Sequence, residues 1–150
     1  MDEVGIDHNT RLTRGWAERG KRLYADKPGN RTGRTSAIAA LCGRQLHSPF
    51  CFEGYCTADL FNLYLEKCLA PNLKPGQIVV LDNARFHQSK LTRQLIEAAR
   101  CTLSFLPPYS PDLNPIEHQW FPLKRRYAKL QSAFGNPADA VYAAFRQMTL

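Results

Sequence analysis

The order of apolar segments along the chain predicts an α/β fold, with antiparallel strands first and parallel strands after them. The first third contains short strand-like segments separated by turn residues. After it, stretches with the 3.6-residue apolar period of a helix alternate with short apolar runs, of which Ile78–Leu81 is the clearest. A chain of 150 residues has the size of a single domain, so we expect one sheet flanked by helices.

The first half of the chain predicts three strands and a helix. Residues 1–6 indicate a first strand, and residues 11–36 a basic hairpin with a loop. Residues 36–43 and 46–52 indicate two strands that are joined by a tight turn at residues 43–45. Thr57 is then placed to cap a helix, whose apolar face is formed by Phe61, Leu65, Cys68 and Leu69.

The second half predicts two further strands and three helices. The β-branched run over residues 78–81 is typical of a strand buried on both faces, and residues 102–106 indicate another short buried strand. Between them lies a helix that Ser89 would cap, with an apolar side of Leu91, Leu95, Ile96 and Ala99. The last helix begins at Asn136. The helix before it carries a single apolar stripe, formed by Ile116, Trp120, Leu123, Tyr127 and Leu130.

Composition narrows the class of protein. A net charge of +7 favours an acidic partner, most often nucleic acid, although basic proteins with other roles are common. The five cysteines form no CxxC pair, so zinc spacing is absent and a reducing cytosol fits best. No apolar run approaches the length of a membrane span, and the polar N-terminus lacks the features of a signal peptide.

Three carboxylates are candidates for chemistry, and each also has an ordinary explanation. Asp82 ends the strand at residues 78–81, where ligands of open α/β sheets gather, but it could equally be a turn or cap residue. Asp2 lies on the first strand, where it could simply be a solvated terminal charge. Glu117 follows the proline-rich segment LPPYSPDLNPIE, and it could instead complete a capping box with Asn114 as the N-cap.

A metal ion would give the three carboxylates a common role. Carboxylates brought together repel one another, which raises their pKa values unless a cation neutralises them. Mg²⁺ is the natural neutraliser because it prefers a few carboxylates together with substrate phosphate. Such a site on a basic protein suggests metal-assisted cleavage of a nucleic-acid backbone.

Two segments together resemble a known family. VVLDNARFH and LPPYSPDLNPIEHQW are similar to the catalytic domain of DDE transposases, in the bacterial insertion-sequence branch of the Tc/mariner superfamily. Asp82 and Glu117 have 34 residues between them, which is the spacing of the second and third acids in that branch. The opening MDEVGID is similar to the segment with the first acid, and the resemblance covers nearly the whole chain.

The resemblance implies a fold, a reaction and a set of roles. The fold would be ribonuclease H-like, with a mixed five-stranded sheet flanked by helices. Asp2, Asp82 and Glu117 would hold two Mg²⁺ (or Mn²⁺) ions, and Asp2 would bridge them. Water would be activated to cut the transposon end, and the freed 3′-OH would then attack target DNA. The expected setting is a bacterial cytoplasm, at the nucleoid.

The chain departs from the family pattern in ways that leave alternatives open. It begins at the catalytic strand, without the helix-turn-helix region that reads the ends of the element. We therefore expect one catalytic domain over residues 1–150, with double-stranded DNA as its partner and with a homodimer or a separate DNA-binding polypeptide as further partners. Pro122 lies inside the Glu117 helix. The alternatives are an inactive fragment that only binds DNA or a partner subunit, and another ribonuclease H-like nuclease.

Two basic clusters are candidates for contacts with DNA phosphates, although such clusters are often just solvated surface. The early cluster includes Arg14, Lys21 and Arg22. The second cluster, on the Glu117 helix, includes Lys124, Arg125 and Arg126. The histidines lack the HExxH spacing of a zinc site, and we expect His87 and His118 to be packing or exposed residues, with a role near the site as the alternative.

Overall fold

The computed structural model describes residues 1–9, 17–22, 24, 33–108 and 110–148. Most of the predicted basic hairpin, including Arg14, lies outside these residues. Five strands and four α-helices are found within them. They are β1 (Asp2–Asp7), β2 (Arg34–Cys42), β3 (Gln45–Glu53), α1 (Ala58–Tyr64), β4 (Ile78–Leu81), α2 (Lys90–Ala98), β5 (Thr102–Phe105), α3 (Glu117–Leu130) and α4 (Pro137–Arg146).

The strands form two hydrogen-bonded groups. β1, β2 and β3 make an antiparallel sheet in that order, and β4 and β5 pair in parallel. The Met1 ammonium donates a hydrogen bond of 2.9 Å to the Val80 carbonyl, which places the start of β1 beside the end of β4. The antiparallel-then-parallel order is therefore confirmed, but the strands form a sheet of three and a sheet of two rather than one sheet of five.

Most of the turn and cap residues predicted for these elements have the expected role in the structure. Gly43 has a φ of +62° at the first position of the two-residue loop between β2 and β3, a conformation that favours glycine. The Thr57 and Ser89 side chains accept hydrogen bonds from the amides of Leu60 and Thr92, which caps α1 and α2. Asn136 caps α4 in the same way. α1 continues through a π-helical turn at Leu65–Leu69.

Helices cover both sides of the three-stranded sheet. On one side α3 and α4 bury a core that includes Val4, Ile6, Leu123 and Val141. The second core lies between Ile38 and the elements α1, α2 and β4. No helix of the described residues is long and apolar enough to cross a membrane. The layered packing fixes β1 and α3 against each other, and this contact decides where the acids at their starts can lie.

Two predictions about burial are wrong. The sequence predicts burial of β4 on both faces, but Ile78 is 65% exposed and Val80 is 39% exposed, whereas Val79 and Leu81 are buried. β5 alternates between exposed and half-buried residues instead of being fully buried. Leu91 is also exposed on α2. An apolar run in the sequence cannot indicate whether a second layer covers its other face, because the covering elements are distant along the chain.

The start of α3 differs from the predicted capping box. Helical geometry begins at Glu117 itself, and the preceding residue, Ile116, makes no side-chain cap. The Asn114 amide group instead donates to an Asp2 oxygen at 3.2 Å, so it serves a long-range contact. Pro122 lies within α3, which continues to Leu130 without a recorded break. The capping explanation for Glu117 is therefore wrong in this structure.

Candidate active site

An open cleft lies at the carboxyl end of β4. Its volume is about 580 Å³, and its walls come from the loop after β4, from the proline-rich segment and from the start of α3. Asp82 and Glu117 both line it, as do Asn83, Arg85 and Asn114. Two of the three predicted acids therefore share one cleft, although they are far apart in sequence.

The loop that carries Asp82 is held by its own hydrogen bonds. Asp82 follows the last residue of β4, and its Oδ1 accepts the amide of Ala84 at 3.0 Å. The Asn83 side chain donates to the carbonyl of Leu106, which ties the end of β4 to the end of β5. Gln88 donates back to the Asn83 carbonyl at 3.1 Å. These bonds fix the direction in which the Asp82 side chain leaves the sheet.

Glu117 is in the first turn of α3 and is exposed to solvent. Within the described part of the chain, its carboxylate takes part in no recorded hydrogen bond or ion pair. The prolines leading to α3 restrict the backbone, and the burial of Ile116 and Trp120 seats the helix start against the core. The backbone at Glu117 is thus fixed, and among the described residues its carboxylate oxygens have no recorded partner.

Asp2 takes a different position from the other two acids. Its residue is 6% exposed, and it does not line the cleft. Oδ2 accepts hydrogen bonds from the Asn114 amide at 3.2 Å and from the Trp120 indole at 3.4 Å, and Oδ1 accepts the Glu3 amide at 2.8 Å. The expectation that all three carboxylates face the cleft therefore holds for two of them, since Asp2 lies behind Asn114.

The electrostatics of Asp2 indicate a crowded acidic site. Burial raises the pKa of Asp2 to about 7, and the charge of Glu117 acts in the same direction, while the hydrogen bonds from Glu3 and Trp120 oppose the rise. An influence of Glu117 on Asp2 requires the two carboxyl groups to be near each other. Such repulsion is the condition that a bound cation relieves.

Sequence reasoning underestimated His87, which is fully buried beside the cleft. Its Nδ1 lies 2.6 Å from Asp82 Oδ1, and its Nε2 lies 3.5 Å from Glu3 Oε2. Burial by itself would lower the pKa of His87, but the hydrogen bond with Asp82 and the nearby Glu3 outweigh it and raise that pKa to about 9. The hydrogen bond from His87 in turn lowers the pKa of Asp82. The five-residue separation of Asp82 and His87 was the only available signal.

The donor set fits a hard divalent cation in part. Asp82 Oδ2 and the Glu117 carboxylate are oxygen donors without a recorded hydrogen-bond partner among the described residues. Asp2 would have to release a hydrogen bond before it could join them. No group of three or more His, Cys, Asp or Glu side chains within the described ranges is arranged to hold a metal ion. The arrangement thus offers two ready carboxylates, with the third next to them.

The predicted DNA-binding residues that the structure describes are all on the surface or half-buried. Lys21 pairs with Glu18, and Arg22 is exposed. On α3, Lys124 and Arg126 are half-buried and Arg125 is exposed. Lys124 and Arg125 lie two turns after Glu117 and share its side of the helix. Among the wall residues of the cleft, Arg85 adds a further positive charge.

Comparison with curated proteins finds relatives over about half of the chain. An uncharacterized protein of Sinorhizobium fredii, y4pE/y4sA, is 31% identical over 85 residues, which are 55% of this chain and 60% of that protein. The Tc1 transposase of Caenorhabditis elegans is 31% identical over 75 residues, which are 50% of this chain and 28% of the transposase. The matched region thus covers less than two thirds of either relative.

Comparison with solved structures shows the fold. The Mos1 transposase paired-end complex with the left transposon end superposes with a TM-score of 0.66 at 16% identity, over 99% of this chain and 46% of that one. The catalytic core domain of BIV integrase superposes with a TM-score of 0.57 at 15% identity, over 75% of this chain and 72% of that one. The predicted α/β arrangement is therefore that of transposase and integrase catalytic cores.

The model of the DDE superfamily endonuclease family matches residues 1–136, which include β1, β4 and the start of α3. With nine-tenths of its residues inside that match, and with the fold just described, this chain belongs to the DDE superfamily endonucleases.

Proposed function

We propose that this chain is the catalytic domain of a transposase that cuts DNA at the ends of a mobile element and joins the freed ends to target DNA. The observation that carries the proposal is the pair of Asp82 and Glu117 on one open cleft, with Asp2 held directly behind. Family membership and the Tc1 relative support the same reaction.

The proposed cofactor is a pair of Mg²⁺ or Mn²⁺ ions. Asp82 and Glu117 would hold the ions, and Asp2 would join them as a ligand after exchanging its hydrogen bonds with Asn114 and Trp120 for metal contacts. When bound, such ions polarise the scissile phosphate and lower the pKa of the attacking water or 3′-OH. The raised pKa of Asp2 supports this assignment, because a carboxylate that is costly to ionise alone gains the most from a cation.

The protein's own contribution is positioning. The hydrogen bonds of Asp82 with Ala84 and His87 hold one carboxylate, and the start of α3, seated by the buried Ile116 and Trp120, places the backbone that carries the other. Lys124, Arg125 and Arg85 supply positive charge along and beside the cleft, where a DNA backbone would lie. Fixed placement of this kind lowers the entropy cost of bringing phosphate and nucleophile together.

DNA is the proposed partner, and we propose that two copies of the chain hold two ends at once. The Mos1 transposase structure supports this, since it is a paired-end complex with the left transposon end. Recognition of the end sequence is assigned to a separate DNA-binding polypeptide or region. Because DNA is the substrate, the proposed place of action is the bacterial nucleoid, within the cytoplasm.

Glu117→Gln provides the main test. Because Glu117 is exposed and takes part in no recorded hydrogen bond in the described structure, this variant should fold as the wild type does. We expect it to lose at least about 100-fold in Mn²⁺-dependent nicking of supercoiled plasmid, or roughly 2.7 kcal/mol of barrier. Asp112→Asn is the matched control: it removes an exposed carboxylate from the same proline-rich segment, outside the cleft lining, and should leave nicking unchanged.

Two outcomes would favour the alternatives. A wild-type chain that binds DNA but shows no metal-dependent nicking would be an inactive fragment, as the hydrogen bonds that hold Asp2 away from the cleft would allow. A chain that nicks DNA but cannot join a precut end to a target duplex would be a hydrolytic nuclease of the same fold. A strand-transfer assay with a labelled precut end separates that nuclease from a transposase.

A further inference from the structure

A buried histidine lies between two carboxylates at the edge of the cleft, one on β1 and the other in the loop after β4. His87 has no exposed surface, and its two ring nitrogens lie 2.6 Å from Asp82 and 3.5 Å from Glu3. The first distance is a short hydrogen bond; the second is within ion-pair range but too long for an ordinary hydrogen bond. Within the described residues, Glu3 Oε2 has no hydrogen-bond partner, although it is buried. A buried carboxylate oxygen without a partner requires an explanation.

The histidine ring is held in place by its surroundings. It packs against the rings of Phe61 and Phe86, with centroid distances of 4.2 and 4.3 Å. Its backbone belongs to the 3-10 turn Arg85–Gln88, and its amide donates to the carbonyl of Ala84 at 2.9 Å. Fixed on both sides, the imidazole is a rigid donor and not a mobile side chain.

The contact with His87 gives the two oxygens of the Asp82 carboxylate different surroundings. Oδ1 meets both the amide of Ala84 and His87 Nδ1. Oδ2 takes part in no recorded hydrogen bond in the described part of the chain, and Asp82 lines the cleft. Two hydrogen bonds to one oxygen fix the plane of a carboxylate and leave its other oxygen available to a ligand.

We propose that His87 is a positioning residue which, with Glu3 on its far nitrogen, fixes the Asp82 carboxylate so that Oδ2 remains available to a divalent cation in the cleft. This inference rests on the proposed function, because it assigns a purpose to a geometry that the cation would use. His87 itself does not touch substrate or metal. A ring that served packing alone would not need a carboxylate on each nitrogen.

The two amide side chains provide a matched pair of variants. In His87→Asn the side-chain amide can take the place of Nδ1 and keep a donor to Asp82. In His87→Gln the longer side chain reaches the place of Nε2, toward Glu3, and loses the donor to Asp82. Both variants remove the ring and keep a neutral polar group, so they differ mainly in which carboxylate they reach. Tyr64→Phe is the control, since it removes a buried hydroxyl that has no hydrogen-bond partner among the described residues, in the core that also contains Phe61.

Two measurements on each purified variant test the proposal. Crystal structures without metal report the position of the Asp82 carboxylate, and titration calorimetry with Mn²⁺ reports metal affinity. We expect His87→Gln to displace the carboxylate and to weaken Mn²⁺ binding by about 10- to 100-fold, the usual range for residues that orient metal ligands. We expect His87→Asn and Tyr64→Phe to stay within about threefold of the wild type, roughly 0.7 kcal/mol.

Each outcome either supports the positioning role or overturns it. An unmoved Asp82 in His87→Gln overturns the positioning role, whatever the metal does. Where the wild type binds Mn²⁺, a displaced Asp82 with unchanged Mn²⁺ affinity also overturns it, as do equal losses of affinity in His87→Asn and His87→Gln, because the ring packing would then be what matters. A displaced Asp82 in a protein whose wild type binds no Mn²⁺ supports the positioning role and refutes the proposed function.

Discussion

The buried Asp2 should make the stability of the metal-free protein depend on pH, and Asp2→Asn should remove that dependence. Burial raises the pKa of Asp2 from its ordinary 3.8 to about 7. The folded chain therefore holds a proton on Asp2 more tightly than the unfolded chain does. The contribution of Asp2 to stability is most favourable below pH 3.8, and it is lost as the pH rises through about 7.

The magnitude follows from the two pKa values. Fully ionised Asp2 costs the folded state about 4 kcal/mol relative to a group with an ordinary pKa. At pH 5 the folded protein keeps the proton, and the cost is about 2 kcal/mol. Between pH 5 and pH 8 the wild type should thus lose about 2–3 kcal/mol through Asp2 alone. Asn has no proton to lose, so the variant lacks this term.

Urea denaturation in the presence of EDTA at pH 5 and pH 8 measures the effect. The raised pKa of His87 makes a further loss of stability in the same direction as the pH rises toward 9, but wild type and variant share it. The difference between the two proteins therefore reports Asp2 together with its effect on the pKa of the neighbouring Met1 ammonium. Asn has a single side-chain oxygen, so Asp2→Asn gives up the acceptor either for the Glu3 amide or for Asn114 and Trp120, which costs about 1–3 kcal/mol at every pH and does not alter the slope.

A difference between wild type and Asp2→Asn that stays constant from pH 5 to pH 8 would refute this reasoning. It would mean that Asp2 is effectively solvated, and that the crowding of carboxylates inferred above does not exist. A second series of measurements adds Mg²⁺ at pH 8. The wild type should then gain more stability than Asp2→Asn, because a bound cation stabilises the ionised form of Asp2. Equal gains would argue against Asp2 as a metal ligand.

Two other predictions concern α3. Pro122→Ala should raise stability by about 1–3 kcal/mol, because the proline leaves the carbonyl of His118 without its helical donor; thermal melting that shows no gain would mean that the fold needs the proline. DNA binding should be steeply salt-dependent and nearly independent of sequence, with less than about tenfold preference for a terminal repeat over a scrambled duplex. Replacing Lys124, Arg125 and Arg126 together with Ala should flatten the dependence of log affinity on log salt concentration by about 0.9 for each DNA phosphate that the variant no longer neutralises. The control Lys74→Ala, at an exposed position, should leave that slope unchanged. An unchanged slope in the triple variant would rule out α3 as the DNA-facing helix.

The sequence by itself determined most of the local structure of this protein. Apolar periodicity and cap residues such as Thr57 and Ser89 depend only on residues close in sequence, so they can be recognised without coordinates. The same holds for the placement of Asp82 directly after β4. The family could also be recognised from the sequence, since the proline-rich segment and the spacing of Asp82 and Glu117 are both sequence motifs.

Tertiary structure decided what depends on interactions between distant residues. The sequence predicts Asn114 as a local cap, but it bonds Asp2, 112 residues away, because β1 and α3 pack together. Ile78 and Val80 are predicted to be buried but are exposed. Whether a strand is covered on both faces depends on elements that are distant along the chain, so the sequence of the strand alone does not show it. Nothing in the sequence near His87 shows that the fold places Glu3 and Asp82 on either side of it. The pKa of a group follows burial and neighbouring charge, and both are properties of the folded chain.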